Sequence, residues 1–193
     1  RNLVESVKQI QRTGLQVQGG FIVGFDSDTP SIFQRQIDFI QKSGIVTAMV
    51  GLLNAPPGTR LYNRLKEEGR LAGLISCNTD GTTNIIPRMD LTALSDGYKR
   101  IMGQIYSPKI YYERVRTFLK EYKAHEAKLP FNAHSMMAFL RSCIRLGVFG
   151  KERFQYWKLL LWTVRKRREL LPLAITFAIY GHHFRKVCEM HIL

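Results

Sequence analysis

Cysteine is scarce in this chain: the three that occur, Cys77, Cys143 and Cys188, lie 66 and 45 residues apart. No pair has the spacing of a zinc site, a redox dithiol or an iron–sulfur ligand run, so the expectation is reduced thiols in a cytoplasmic protein. A hydrophobic run of membrane-spanning length is also missing. The longest, Leu170 to Tyr180, has eleven residues and an interrupting proline, against the ~20 that a bilayer requires. No charged-then-apolar leader opens the sequence. Arg1 stands two positions from a helix start, and the expectation is that further chain lies upstream. Acidic residues are scarce in one half only. Residues 1–97 carry 10 Lys+Arg and 9 Asp+Glu, whereas residues 98–193 carry 19 and 6, so nearly all of the net +14 sits in the second half. Such asymmetry implies an anionic partner, either a membrane surface or nucleic acid.

What is present begins with helix signals. Leu3, Val4, Val7 and Ile10 recur at helical spacing behind Asn2 as a cap, with Glu5 at the third helical position and Gly14 as a stop. Leu15 to Phe25 reads as a buried strand. Asp28 or Thr29 is expected to cap the next helix, with Pro30 in its first position and Phe33, Ile37 and Ile40 on one face. Gly44 closes it. Ile45 to Asn54 is a second apolar run, free of charge as a strand covered on both faces should be. Thr59 then caps a short helix that stops at Gly69.

The order helix, strand, helix, strand, helix implies parallel strands joined by right-handed crossovers. Two parallel strands cannot stand alone, because each outer edge leaves a row of unpaired backbone groups. Either they pair with another copy or they end a longer barrel or sheet, and the second is favoured. Residues 71–90, rich in Gly, Thr, Asn and Asp, read as a long ordered loop of the lid-like kind. From Leu91 onward the pattern is helical: Thr92–Tyr106, Lys109–Ala127, Ala133–Val148, Lys151–Leu170 and Leu171–Glu189. The fold class is therefore α/β, then all-α, with a boundary near Tyr106.

The segment Gly19-Gly20-Phe21-Ile22-Val23-Gly24-Phe25-Asp26-Ser27-Asp28-Thr29-Pro30 carries the functional argument. A glycine at the carboxyl end of a parallel strand lets a ligand approach the backbone, and the helix that follows offers free N–H groups. The alternative is plainer: a bulge at Gly20, a tight turn at Gly24, and acids that only cap a helix.

GFIVGFDSDT, with the later LLNAPPGTRLYNRLKEEGRL, resembles the fifth and sixth βα units of a radical S-adenosylmethionine (SAM) barrel. The resemblance is to the branch with an upstream cobalamin-binding domain and a downstream helical domain of unknown function. It implies a partial (β/α) barrel over residues 1–106 and a basic helical domain over 107–193. Gly20, Ile22 and Gly24 align with the family's Gly-x-Ile-x-Gly-x-x-Glu pattern, which implies that Ile22 packs on the SAM adenine and that Leu52, Leu53 and Asn54 border it through their backbone. At the acidic position strict spacing lands on Ser27, and the acid arrives one residue later as Asp28. The family's Cys-x-x-x-Cys-x-x-Cys run for a [4Fe–4S] cluster is absent from this sequence. The resemblance thus implies the C-terminal part of an enzyme, a methyltransferase acting on a lipid or other small organic molecule. SAM, the [4Fe–4S] cluster and cobalamin would be bound only in the longer protein. The loop at 77–90 would close over substrate. The implied partners are the missing N-terminal barrel and cobalamin domain.

The basic half offers a structural reading and a binding one, and the alternative to an enzyme is a non-catalytic basic helical module that engages an anionic membrane surface or nucleic acid. Arg165-Lys166-Arg167-Arg168 ends a helix with Phe154, Trp157, Leu161 and Val164 on its apolar face and runs into the Leu170–Tyr180 stretch. Cations suit a helix's last turn, so a core helix is the favoured reading. The same residues suit an interfacial helix on anionic lipid at the inner membrane face. Nucleic acid is the less favoured partner. For it, Tyr98, Tyr106, Tyr111, Tyr112 and Tyr122 interleave with cations as a stacking platform would. His182 and His183 point about 100° apart on a helix and are expected to be structural or solvated.

Overall fold

The computed structural model describes residues 2–73, 81–124 and 133–192. Helix α1, Leu3–Arg12, starts where Asn2 Oδ1 accepts from the Glu5 N–H at 3.3 Å. Strand β1, Gly19–Val23, and strand β2, Ala48–Leu52, are parallel, in register from Gly19 beside Ala48 to Val23 beside Leu52. Helix α2, Ser31–Ser43, connects them, and α3, Arg60–Glu67, follows β2 with Thr59 as its cap. Both strands are shorter than their apolar runs. Gly44, at φ +71°, ends α2 where α5 passes so close that a Cβ would stand 3.1 Å from the Phe118 nitrogen.

Among the described residues, the sheet is covered on one face only. Val23, Ala48, Val50 and Leu52 are buried in a core shared with Phe33, Ile37 and Ile40 of α2 and with Leu94 and Ile101 of α4 (Leu91–Ile105). The alternate residues Gly20, Ile22 and Met49 are exposed. This corrects the expectation that β2 is covered on both faces: its charge-free sequence reflects an outer face that no element among the described residues covers. Two carbonyls of the sheet are capped by side chains. Gln36 Nε2 donates to Ile22 O at 2.9 Å, and the Tyr106 hydroxyl to Ala48 O at 2.7 Å.

The second half comprises α5 (Pro108–Glu121), α6 (Ala133–Ser142), a π-helical turn (Cys143–Val148), α7 (Arg153–Lys166), a 3₁₀ turn (Arg168–Leu170) and α8 (Leu171–His191). Helix α5 packs on α1, α2 and α4 on one side and on α7 and α8 on the other. One core runs from Val23 to Cys188, through the expected boundary near Tyr106. Arg114 fastens it. Fully buried, it donates to Ile105 O at 2.9 Å and Val46 O at 3.4 Å, and its guanidinium lies 5.1 Å from the Tyr111 ring centre. Carbonyl dipoles and ring faces replace water around this cation. Burial nevertheless holds its pKa below the ordinary arginine value.

The tyrosines take the core reading that their helical spacing favoured: Tyr98, Tyr106, Tyr111 and Tyr112 are buried and Tyr122 partly so, filling the space between α4, α5 and α8, so they form no stacking platform. The expected core face of α7 is corrected. On α7 the core face is Tyr156, Leu159, Leu160 and Thr163, while Phe154, Trp157, Leu161 and Val164 face outward. The helix is apolar on two sides, and the core takes the other one. The Leu170–Tyr180 stretch does supply core residues: Leu170, Ala174, Phe177 and Ala178 are buried.

Candidate functional site at the open sheet face

In parallel sheets ligands gather at the carboxyl ends of strands, and here that end carries a turn built by its own acids. Gly24 adopts φ +104°, a conformation that favours glycine, and a Cβ there would press on Leu94 Cδ2 at 3.1 Å. Asp28 Oδ2 accepts from the Gly24 N–H at 2.9 Å and the Phe25 N–H at 3.0 Å. Asp28 therefore folds back onto the tip of β1 instead of capping α2, which corrects the expected cap. Pro30 stands just before the helix, and no side chain bonds to that helix's first N–H groups. The two amides at the strand tip are consequently engaged by a carboxylate of the same turn.

Asp26 holds the turn from the other side. Arg70 grips it with two nitrogens, Nη2 to Oδ1 at 2.7 Å and Nη1 to Oδ2 at 3.2 Å, and Arg64 adds Nη2 to Oδ2 at 3.1 Å. The Arg70 hydrogen bonds hold the Asp26 carboxyl below its ordinary pKa. Arg70 belongs to the stretch that also receives the loop: Leu71 bridges Ile85, and the Ile86 N–H donates to Arg70 O at 2.9 Å.

The loop's described part, 81–90, packs on the end of β2. Thr83 Oγ1 donates to Leu53 O at 2.6 Å. Asn84, nearly fully buried, pairs with both backbone groups of Ala55, accepting from its N–H at 2.8 Å and donating to its carbonyl at 2.9 Å. Asn54 accepts from the Asn84 N–H at 3.0 Å. Residues 77–80 of the expected closing loop, Cys77 among them, lie outside the described residues.

The sequence-derived site residues thus separate into two groups. Gly20 and Ile22 share the bare face, opposite Met49 and Gly51 in the parallel register. Ile22 is 48% and Met49 60% exposed, and a Cβ on Gly20 would meet nothing within 4 Å. Gly24 shapes the tip beside them. Leu52 is buried in the main core behind the sheet, Leu53 is buried in a second cluster with Ala55, Leu65 and Ile85, and Asn54 ties into the loop. Sequence reasoning missed Met49 and Gly51, which counting alternate positions along the second run would have found. It also missed Asp26, Arg70 and Asn84, whose roles arise from distant partners.

Chemically, the bare face offers two apolar side chains beside two glycines, with no nucleophile or titratable group on it. A flat, largely apolar ring system such as a purine fits that floor. An iron–sulfur cluster does not fit this chain: the sequence lacks the three-cysteine run, and among the described residues no group of His, Cys, Asp and Glu is arranged to hold a metal. Half-buried His182 meets buried Glu152 at 2.8 Å, and Arg185 lies 2.6 Å from Glu152.

Comparison with known proteins adds the following. A family model described as "Domain of unknown function (DUF4070)" matches residues 59–192. A protein named "Uncharacterized methyltransferase sll1242" from Synechocystis is 30% identical over 98% of the chain and 36% of its own length. The hopanoid C-2 methylase of Rhodopseudomonas palustris is 29% identical over 82% of the chain and 31% of its length. The bacteriochlorophyllide d C-12(1)-methyltransferase of Chlorobaculum tepidum is 33% identical over 36% of the chain and 15% of its length. The chain spans about a third of the length of the first two of these curated relatives. No solved structure matches it.

Proposed function

For a chain that belongs to the DUF4070 family, we propose the role of C-terminal part of a cobalamin-dependent radical SAM methyltransferase. The two strands complete a longer barrel, and their bare face holds the cofactor's adenine. The observation that carries this reading is the uncovered pair of glycines and apolar side chains, Gly20 and Ile22 against Met49 and Gly51, beside a strand tip whose backbone is preset by Gly24. The names of the relatives support methyl transfer as the reaction class. A lipid or other small organic acceptor is proposed, by analogy with the relative named for a hopanoid.

SAM when bound supplies the methyl chemistry, and the residues of this chain bind and orient it. Ile22 and Met49 would support the adenine and keep water off one of its faces. Gly20 leaves room for the ring, and the Asp28-locked turn keeps the tip rigid, so that little ordering accompanies binding. The cluster and cobalamin would be held by parts of the longer protein.

The test is equilibrium binding of SAM to the longer polypeptide with Gly20→Val, which fills the open space. Weakening of about tenfold, or 1.4 kcal/mol, with an unchanged unfolding midpoint is expected. Unaltered affinity overturns the placement of the adenine on this face.

A further inference from the structure

The outer face of α7 is apolar where the core does not need it. Phe154, Trp157, Leu161 and Val164 recur at helical spacing and are 74%, 42%, 52% and 39% exposed. Phe149, at the turn before α7, is 82% exposed. A helix with a second apolar side requires a second partner. The charge around this side states its sign. Residues 133–168 carry nine Lys and Arg and one acid, Glu152, and Glu152 is buried against His182 and Arg185. Lys158, Arg165 and Lys166 are exposed, and none of them has an ion-pair partner among the described residues. With Arg116 and Trp162 they line an open groove of about 270 Å³ between α5 and α7, and Leu161 belongs both to that groove and to the apolar stripe. Cations and an apolar ridge are therefore one continuous surface.

We propose that this surface docks on an anionic lipid bilayer, with Phe149, Phe154 and Leu161 entering the headgroup–acyl boundary and the groove cations meeting lipid phosphates. Apolar side chains backed by unpaired cations, with an indole between them, match the two layers of a membrane interface. Nucleic acid would use the cations and could stack on Phe154 and Trp157, but it would leave Leu161 and Val164 in water. Further strands of the same protein would join the sheet, which lies beyond α5 and the α2–α4 layer from α7, so they need not cover this surface. The inference stands on these residues and not on the methyltransferase reading.

The chain's only two tryptophans, Trp157 and Trp162, both lie on α7, which makes fluorescence the natural readout. With the full chain, vesicles of mixed phosphatidylglycerol and phosphatidylcholine should shift the emission to the blue, and brominated acyl chains should quench it. Pure phosphatidylcholine should do neither. Phe149→Ser with Phe154→Ser removes side chains that are mostly in water, so the thermal midpoint should hold while vesicle partitioning falls about tenfold. Lys158→Gln with Arg165→Gln should lower it about 25-fold, at about fivefold per charge. Equal binding to neutral vesicles, binding without quenching, or unchanged partitioning of both variants overturns the proposal. Binding to a single-stranded oligonucleotide that is lost only in the cation variant also overturns it and assigns the groove to nucleic acid.

Discussion

Glu152 shows how much single residues govern in this molecule. Its side chain is fully buried, with His182 Nδ1 at 2.8 Å and an Arg185 nitrogen at 2.6 Å. Removing its charge leaves the desolvated arginine with only Glu189, at 3.7 Å, as an ionic partner, so Glu152→Gln should destabilise the fold by about 3 kcal/mol in urea unfolding. A loss under about 1 kcal/mol would mean that water reaches the pair. Asp26 makes a different prediction. Its folded pKa is depressed by the Arg70 hydrogen bonds, below an ordinary value of 3.8. The stability it contributes is therefore fully present above that value and is lost as pH falls through the lower folded value. Asp26→Asn should flatten the acid limb of the stability profile and leave its slope at neutral pH untouched. Neither residue's role was legible in the sequence, because the partners lie far off: 44 positions for Asp26 and Arg70, 33 for Glu152 and Arg185. Asn2 and Thr59 were legible, since a cap bonds three residues ahead.

At the scale of elements, periodicity revealed where helices and strands lie better than which side they bury. The buried strand expected over Leu15 to Phe25 is only Gly19–Val23, with Leu15 and Ile22 exposed. Helix α7 was read with the wrong face inward, because both its sides are apolar and only tertiary packing chooses between them. The glycines sharpen the point. Gly97 of α4 lies so close to the Phe33 ring that a Cβ would collide with three of its atoms, whereas Gly20 has open space above it. Gly97→Ala should accordingly cost about 1–3 kcal/mol by wedging α4 from α2. Gly20→Ala should be neutral or slightly stabilising, since a strand glycine carries an entropic cost. Parallel urea titrations check both, and a large loss at Gly20 would mean that the face is not open.

At the scale of the whole molecule, the two halves are one packed body. Arg114 and Tyr106 join the second half to the sheet, and Arg12 and Lys8 of α1 reach Glu121 of α5 at 2.8 and 3.5 Å. What this body leaves unsatisfied lies on opposite sides: a bare sheet face at one, an apolar and cationic helix face at the other. The resemblance was read mainly from GFIVGFDSDT and LLNAPPGTRLYNRLKEEGRL, whereas the family match covers residues 59–192; the bareness of the sheet face was not legible, because composition cannot say which neighbours are absent. The most direct measurement is photo-crosslinking of SAM to the longer polypeptide, followed by peptide mapping. Crosslinks within residues 19–25 or 48–54 are predicted. Efficient crosslinking that avoids both segments would contradict an adenine seated on this sheet.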